Sequence, residues 1–200
     1  MMDPVEIGTQ LRTLRERDGV SLRGLAGRVG ISPSLLSQIE TGKTQPSVGT
    51  LYALVNQLGI SFDDLFGGGS STQETPTQEA IPVVQRSTDN PRLTMEHGVV
   101  WERLAMGASG HVDPLLTTYH PGGASSKDGQ LMSHDGTEYG YLIKGELRLH
   151  LESDSYVIRA GDSLCFDSRR PHLYVNETDR AATGVWFVVR DSPQDASMFG

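Results

Sequence analysis

The sequence has almost no cysteine and no long apolar run, and each shortage excludes a class of protein. Cys165 is the only cysteine in 200 residues, so an intrachain disulfide framework is impossible. No apolar run reaches the ~20 residues that a membrane-spanning helix requires, and the N-terminus lacks the basic, then apolar layout of a secretion signal. The content of 36% hydrophobic and 21% charged residues is that of a globular protein. We therefore expect a cytoplasmic protein that makes no membrane contact.

Positive charge is concentrated near the N-terminus. The whole chain has a formal net charge of −8, which by itself argues against a polyanionic partner. Between Arg12 and Lys43, however, six basic residues stand against three acidic ones, a net charge of +3. The basic residues are Arg12, Arg15, Arg17, Arg23, Arg28 and Lys43. Such an asymmetry indicates a localised anion-binding face.

A segment of linker composition divides the chain into two domains. Residues 67–80, GGGSSTQETPTQEA, begin with three glycines and contain almost nothing that a core could bury. Such a composition is typical of a flexible linker. Helical periodicity precedes it and short alternating segments follow it. We therefore predict an all-α domain over residues 1–66, a flexible linker over 67–80 and an all-β domain over 81–200.

Apolar periodicity and capping residues predict four helices and a final turn in the first domain. Ile7, Leu11 and Leu14 form the apolar stripe of the first helix. The predicted start signals of the next three helices are Ser21, Ser32 followed by Pro33, and Ser47. The predicted stops are Gly19, Gly30 and Thr41-Gly42, and residues 61–66 form the final turn. A bundle of this size is just large enough to fold alone.

The segment SLRGLAGRVGISPSLLSQIETGKTQPSVGTLYALVNQLGIS resembles the phage-repressor, or XRE, class of helix-turn-helix domains. The resemblance spans nearly all of residues 6–65 and includes Gly30 in the turn and LSQIE in the third helix. It implies that the third helix enters the major groove of double-stranded DNA, where base edges can be distinguished. One such domain discriminates weakly between sequences, so two half-sites and a homodimer are expected.

The same resemblance assigns roles to residues of the third helix and its surroundings. Ser34, Ser37 and Gln38 would read bases, with Gln38 able to pair bidentately with adenine. The residues expected to hold phosphates are Arg23, Ser32, Lys43 and Thr44. The alternative is that these serines and glutamine only keep a surface helix soluble. The basic segment favours DNA binding.

The second domain consists of closely spaced short segments of alternating apolar and polar residues, which predict a β-sandwich or small barrel. It resembles the cupin fold, a double-stranded β-helix or jelly-roll barrel, most clearly over residues 120–190. His134, Glu138 and Gly145 match the family's first motif, although Met132 replaces its first histidine. Gly161-Asp162, His172 and Asn176 match the second motif, whereas Asp167 and Arg169 replace its internal proline and glycine.

The spacing of these residues predicts a metal site. Residues two or four apart on a strand share a face, so His134 and Glu138 can converge, with His172 reaching inward from another strand. Two imidazoles and one carboxylate suit a divalent metal, namely Fe, Zn, Mn or Ni. Met132, Tyr119 and Asn176 are expected to line the pocket of a small-molecule effector. Cupin sensors also exist in which the inner polar groups bind an organic ligand or nothing, and the spacing leaves this open.

These residues are compatible with two functions. The first is a transcription regulator whose cupin domain senses an effector or metal and biases the two helix-turn-helix domains on an operator. The second is a non-haem iron enzyme, because the domain order and the His134, Glu138, His172 set also resemble hydroxypropylphosphonate epoxidase. Gly19 stands where that enzyme's helical domain supplies a lysine. The intact segment SPSLLSQIETGKTQPS favours the regulator.

Overall fold

The computed structural model of the chain describes residues 4–60, 65, 83–105, 112–126 and 129–190. The predicted linker, 67–80, lies outside the described residues, as does the predicted final turn over 61–66 apart from Leu65. In these ranges four α-helices are followed by nine strands, which agrees with the expected order of an all-α part before an all-β part. Within the described ranges, no helix is long and apolar enough to cross a membrane.

The helices are α1 (Pro4–Arg17), α2 (Leu22–Val29), α3 (Pro33–Glu40) and α4 (Val48–Leu58). Their boundaries follow the capping residues read from the sequence. The hydroxyl oxygens of Ser21, Ser32 and Ser47 accept hydrogen bonds from the amides of Gly24, Leu35 and Thr50. Gly30 ends α2 in the left-handed region at φ 74°, a conformation that glycine adopts without a Cβ clash.

The helical core is closed by an ion pair as well as by apolar side chains. Ile7, Leu11 and Leu14 of α1 are buried, as are Leu36 and Ile39 of α3. Leu35 is half-buried and packs against this core. The carboxylate of Glu40 accepts two hydrogen bonds from the Arg15 guanidinium, at 2.6 Å from Nε and 2.8 Å from Nη2, and both residues are buried.

The strands form a six-stranded antiparallel sheet and a three-stranded one. The larger sheet has the order β1 (Arg92–Thr94), β2 (Val99–Arg103), β3 (Val112–Tyr119), β9 (Ala182–Val189), β4 (Thr137–Lys144) and β7 (Ser163–Asp167). The smaller sheet has the order β6 (Asp154–Arg159), β5 (Glu146–Leu151) and β8 (His172–Val175). Isolated bridges from Ala124 and Met132 to β8 bring the loop before β4 against the smaller sheet.

Alternation of buried and exposed residues along β4 shows which of its side chains face the interior between the sheets. On β4, Glu138, Gly140 and Leu142 are buried, whereas Tyr139 and Tyr141 are exposed. The sequence alone did not decide the orientation of Trp101, Arg103, Tyr119 and Trp186, and all four are buried. His150 lies between buried leucines on β5 and faces the opposite side of the strand, as its spacing predicts.

The N-terminal domain packs directly on the β-domain through α4 and its flanking residues. The amide of Gly49 donates to the carbonyl of Ser125 at 3.2 Å, and the amide of Glu96 donates to the carbonyl of Pro46 at 3.1 Å. Near the other end of α4, Arg190 donates from Nη1 to the carbonyl of Ile60 at 3.4 Å. The two domains are therefore joined by hydrogen bonds as well as by the chain.

Candidate functional site

The exposed face of α3 carries the three side chains predicted to read bases. Ser34, Ser37 and Gln38 are exposed, while Leu36 and Ile39 hold the opposite face in the core. The helix begins at an exposed Ser32 whose hydroxyl oxygen accepts from the Leu35 amide. That hydroxyl can still donate its own hydrogen to a phosphate oxygen. The arrangement leaves a polar helix surface open to a partner.

The structure separates the basic residues of the N-terminal segment into paired and unpaired ones. Arg15 is buried with Glu40, and exposed Arg12 and Arg17 pair with Glu16 and Asp18 at 2.8 Å each. Over the ranges the structure describes, the exposed side chains of Arg23, Arg28 and Lys43 form no ion pair. Thr44 follows Lys43 and is half-buried. Arg28, which was predicted only as part of the basic segment, is thus as exposed as Arg23 and Lys43.

The predicted metal ligands converge at one point inside the β-domain. One ligand atom from each of His134, Glu138 and His172 lies within 4.8 Å of the others, and all three residues are buried. Glu138 Oε1 lies 3.0 Å from Nε2 of His134 and 3.3 Å from Nε2 of His172. Glu138 comes from β4, His172 from β8 and His134 from the loop before β4. The three side chains therefore present two imidazole nitrogens and one carboxylate to a shared space.

Outer hydrogen bonds orient each of these ligands. Nδ1 of His134 lies 3.2 Å from the carbonyl of Asp135, and Nδ1 of His172 lies 2.8 Å from the carbonyl of Arg170. A carbonyl oxygen only accepts, so each Nδ1 carries a hydrogen and each Nε2 faces the carboxylate. Such second contacts are the usual support of metal-bound histidines. An Nε2 approaches the carboxylate favourably only if it is protonated or if a cation lies between them, so the donor set fits a divalent metal.

The electrostatics of the cluster also favour positive charge next to Glu138. Burial raises the pKa of Glu138, but hydrogen bonds from His134 and His172 outweigh it and lower the pKa to about 2. Burial lowers the pKa of His172, but the hydrogen bond that its imidazole donates to Glu138 outweighs this, so the net shift is upward. Tyr174 donates to Glu138 Oε2 at 2.8 Å, and burial raises the pKa of that phenol. Glu138 is therefore a carboxylate, which is the form that binds a cation.

A small cavity borders this cluster. Its volume is about 30 Å³, room for about one or two water molecules. Its walls are mainly aromatic and apolar, with a few hydroxyl groups, and comprise Val48, Tyr52, Trp101, Leu115, Thr117, Tyr119, Ser125, Met132, Glu138, His172, Tyr174, Trp186 and Val188. Among these described lining residues there is neither lysine nor arginine. The cavity therefore suits a small and mainly apolar occupant.

Two of the three predicted effector-pocket residues line the cavity, and the third requires a correction. Met132 and Tyr119 lie in its wall. Asn176 does not line it, because its amide group donates to the carbonyls of Tyr119 and Arg180 and its oxygen accepts from Thr178. Asn176 thus fixes the backbone around β8 and has no hydrogen-bonding group left for a ligand.

Residues of the N-terminal domain complete the cavity wall, which the sequence did not predict. The ring of Tyr52, from α4, stacks on the ring of His134 at 4.1 Å between centroids and 5° between planes. It also contacts Trp101 edge to face, with centroids 5.3 Å apart. Val48, one turn earlier on α4, lies beside it in the wall. Apolar periodicity does not indicate which domain a helix packs against, so no sequence signal identified Tyr52 as a wall residue.

The geometry defines a two-domain protein in which a helix-turn-helix bundle is followed by a cupin barrel. Family models confirm both parts: a helix-turn-helix domain matches residues 6–65, and a cupin domain matches residues 115–188. The chain belongs to the helix-turn-helix transcriptional regulators that carry a C-terminal cupin domain.

Similar proteins of known name agree with this family. The chain is 27% identical over 175 residues to the HTH-type transcriptional regulator PuuR of Escherichia coli, covering 84% of this chain and 86% of that protein. It is 36% identical over 70 residues to the uncharacterized HTH-type transcriptional regulator y4dJ of Sinorhizobium fredii, covering 35% of this chain and 87% of that protein. The crystal structure of an HTH_3 family transcriptional regulator from Vibrio cholerae has the same fold, with a TM-score of 0.69, 22% identity, and coverage of 96% of this chain and 98% of that one.

Proposed function

We propose that this protein regulates transcription by binding an operator through α3 and by sensing a small effector or a metal in its cupin barrel. The observation that carries the proposal is the polar, exposed face of α3, with Ser34, Ser37 and Gln38 facing outward. A helix-turn-helix places this second helix in the major groove, where Gln38 can donate to and accept from an adenine edge.

The unpaired cations flank the reading helix and supply the contacts to the DNA backbone. Arg23 and Arg28 lie on α2, and Lys43 follows the end of α3. Ser32 and Thr44, at either end of α3, complete the phosphate contacts with hydroxyl groups. These contacts hold the domain in register but carry no sequence information themselves.

His134, Glu138 and His172 are the residues that would hold a divalent ion in the barrel. The ion would leave coordination positions open and attract an oxygen or nitrogen donor of an effector. The donor set suits Fe(II) and accepts Zn, Mn or Ni. Tyr174 and the two backbone carbonyls hold the three ligands in the orientation that such an ion requires.

An exposed apolar surface on the larger sheet supports a homodimer. Tyr139, Tyr141 and Ile143 of β4 and Phe187 of β9 are 43–51% exposed. Tyr139 is paired with Phe187 on one side and with the exposed Cys165 of β7 on the other. These five residues are called the sheet patch below. A second copy is its proposed occupant, because a twofold axis makes one patch complementary to itself and an operator with two half-sites needs two α3 helices.

The enzyme alternative is less well supported. A phosphonate substrate is an anion, and the described cavity wall contains neither lysine nor arginine to hold it. The helical domain contributes Val48 and Tyr52 to this wall. Gly19, at the position of the enzyme's lysine, is a turn residue after α1 with nothing within 4 Å of a Cβ placed there.

Binding to DNA from the protein's own promoter region tests the proposal. The full chain should protect a tract of that DNA in footprinting, and its affinity should fall steeply with salt because bound phosphates release counterions. Absence of protection at modest ionic strength, together with oxidation of small substrates in the presence of ferrous iron and oxygen, would support the enzyme instead.

A further inference from the structure

Helix α4 of the DNA-binding domain closes the cavity of the cupin domain. Val48 and Tyr52 form part of the cavity wall, and the Tyr52 ring covers His134, whose side chain is 1% exposed. The amide of Gly49 donates to Ser125, another residue of the wall. One helix thus belongs to the DNA-binding domain and to the ligand site at the same time.

The contact between Gly49 and Met132 explains how α4 approaches the cupin domain so closely. A Cβ placed on Gly49 would lie 3.1 Å from both Cβ and Sδ of Met132. Met132 occupies the position at which the cupin motif has its first histidine, and here its side chain packs against α4. A glycine inside a helix is unfavourable, because it gains no side-chain contact and loses more backbone freedom than alanine. This glycine therefore reflects the close packing between the two domains.

The size of the cavity limits what can bind while α4 stays in place. A volume of about 30 Å³ is far below the ~300–1,000 Å³ of sites that bind small organic molecules. The barrel wall opposite α4 consists of sheet residues joined by continuous hydrogen-bonded strands. The helix belongs to a different domain, and contacts between domains commonly allow relative movement. Room for a larger ligand is therefore gained most easily where α4 packs.

We propose that Val48, Gly49 and Tyr52 form a plug, and that a ligand in the cupin pocket competes with the docked DNA-binding domain for the same space. The proposal deepens the proposed function, because it states how the pocket communicates with α3. A ligand can shift the docked arrangement only through its different affinity for the plugged and unplugged states. Direct exclusion supplies such a difference without any strain passing through the linker.

The walls of the pocket indicate the chemical class of the ligand. Trp101, Tyr119 and Trp186 offer flat aromatic surfaces, and Thr117 and Ser125 offer hydroxyl groups. The cluster around Glu138 offers metal coordination or a hydrogen bond at one point. A flat and mainly apolar molecule matches this combination if it has one nitrogen or oxygen atom that can coordinate a metal or form a hydrogen bond.

Release of the plug would change the position of α3 and leave its reading surface intact. Ser34, Ser37 and Gln38 are exposed while α4 is docked, so docking does not cover the residues that face DNA. In a dimer held by the cupin domains, undocking frees the spacing and orientation of the two α3 helices. Half-site spacing is a geometric requirement of helix-turn-helix dimers, so the ligand would weaken operator binding.

An engineered disulfide tests whether the plug is docked in solution. In a Cys165→Ser background, Gly49→Cys with Met132→Cys would place two Cβ atoms 3.1 Å apart, close to the ~3.8 Å of a disulfide. Mild oxidation of the full chain should close this bond, seen as loss of two free thiols by mass spectrometry after alkylation. The control pair, Gly49→Cys with Tyr156→Cys on exposed β6, should stay reduced. Failure of the first pair to close, with the barrel intact by circular dichroism, would overturn the docked arrangement.

Titration with indole, measured by calorimetry, tests the competition. Indole is flat, apolar and too large for the closed cavity, and it has one N–H donor. The reduced Gly49→Cys, Met132→Cys protein should bind it, and the oxidised form of the same chain should not. Tyr52→Ala in the natural background should bind it about five-fold more tightly than the unmodified protein, since loss of the stacked ring weakens docking.

Equal indole affinity in the oxidised and reduced forms would overturn the plug. Absence of indole binding to reduced protein and to Tyr52→Ala alike would overturn the proposed ligand class. Neither measurement involves DNA, so a failure of operator binding is recognised separately by footprinting of the same preparations.

Discussion

Arg15 of α1 and Glu40 of α3 form a buried, doubly hydrogen-bonded ion pair across 25 positions of the chain. Nη1 of Arg15 also donates to the carbonyl of Val20 at 2.9 Å, so the guanidinium joins the start of the turn before α2 to the end of α3. The end of α3 is thereby fixed relative to α1. Arg15 is one of the basic residues of the N-terminal segment, but the Glu40 carboxylate neutralises its charge inside the domain. Its guanidinium is therefore not exposed for contact with DNA.

Replacing Glu40 should destabilise the DNA-binding domain strongly. Glu40→Gln removes the carboxylate that neutralises the buried Arg15 guanidinium, and breaking such a pair typically costs about 3–5 kcal/mol. The free energy of unfolding should be measured by urea denaturation. Glu16→Gln, which removes the exposed carboxylate that pairs with Arg12 and Arg15, is the matched control and should cost far less, because solvent screens an exposed ion pair. Equal losses for both variants would contradict the structural role given to the buried pair.

Gln38→Ala should reduce affinity for the operator specifically. The loss of a bidentate contact to a base costs about 1–3 kcal/mol at the specific site, and affinity for random DNA should change little. Both affinities can be measured by fluorescence anisotropy at one salt concentration. The control is Gln57→Ala, an exposed glutamine on α4, which should leave both unchanged. If Gln38→Ala weakens the operator and random DNA equally, Gln38 does not read a base.

Lys43→Ala should have the complementary effect. An exposed lysine that holds a phosphate contributes equally on every sequence, so affinity should fall on the operator and on random DNA alike. The slope of log affinity against log salt concentration should become shallower by about one unit, because one phosphate contact is lost. Lys144→Ala, an exposed lysine of β4 in the cupin domain, provides the control. An unchanged slope for Lys43→Ala would remove this residue from the phosphate contacts.

Metal analysis tests the cluster in the barrel. Protein purified without chelator should contain one equivalent of a divalent metal, and His134→Ala should abolish it because two ligands hold an ion poorly. His150→Ala removes a histidine from the outer face of β5 and should retain the metal. Chelation should lower the melting temperature of the unmodified protein, since an ion that binds only the folded state stabilises it. Metal-free protein that still responds to an effector would show that the pocket works without an ion.

Local signals in the sequence were sufficient for the helices and for the inward facing of Glu138. The prediction that His134 shares a strand with Glu138 was wrong, because His134 reaches the cluster from the loop before β4. Ser21, Ser32 and Ser47 cap their helices because an N-cap depends on residues within one turn, and Glu138 faces inward because strand alternation is local. The partner of a buried side chain is not local. The i, i+4 spacing of Val48 and Tyr52 predicts burial equally well for a helix packed in its own bundle and for one packed on another domain. The sequence placed Arg15 among the anion-binding cations and Asn176 in the pocket because it did not reveal their distant partners, Glu40 and Tyr119.

Charge placed in the sheet patch should separate the dimer. Tyr141→Lys puts a cation on the apolar outer face of β4, where in a twofold dimer it would be buried against a copy of the same patch at a high desolvation cost. Tyr156→Lys is a closely matched control, because Tyr156 is 48% exposed and Tyr141 49%, yet Tyr156 lies on β6 in the other sheet. Light scattering after gel filtration should give a monomer for Tyr141→Lys and a dimer for Tyr156→Lys. A Tyr141→Lys protein that remains dimeric would place the interface elsewhere. Affinity for an operator with two half-sites should decrease when the dimer dissociates. Affinity for a single half-site should persist, because α3 itself is unchanged.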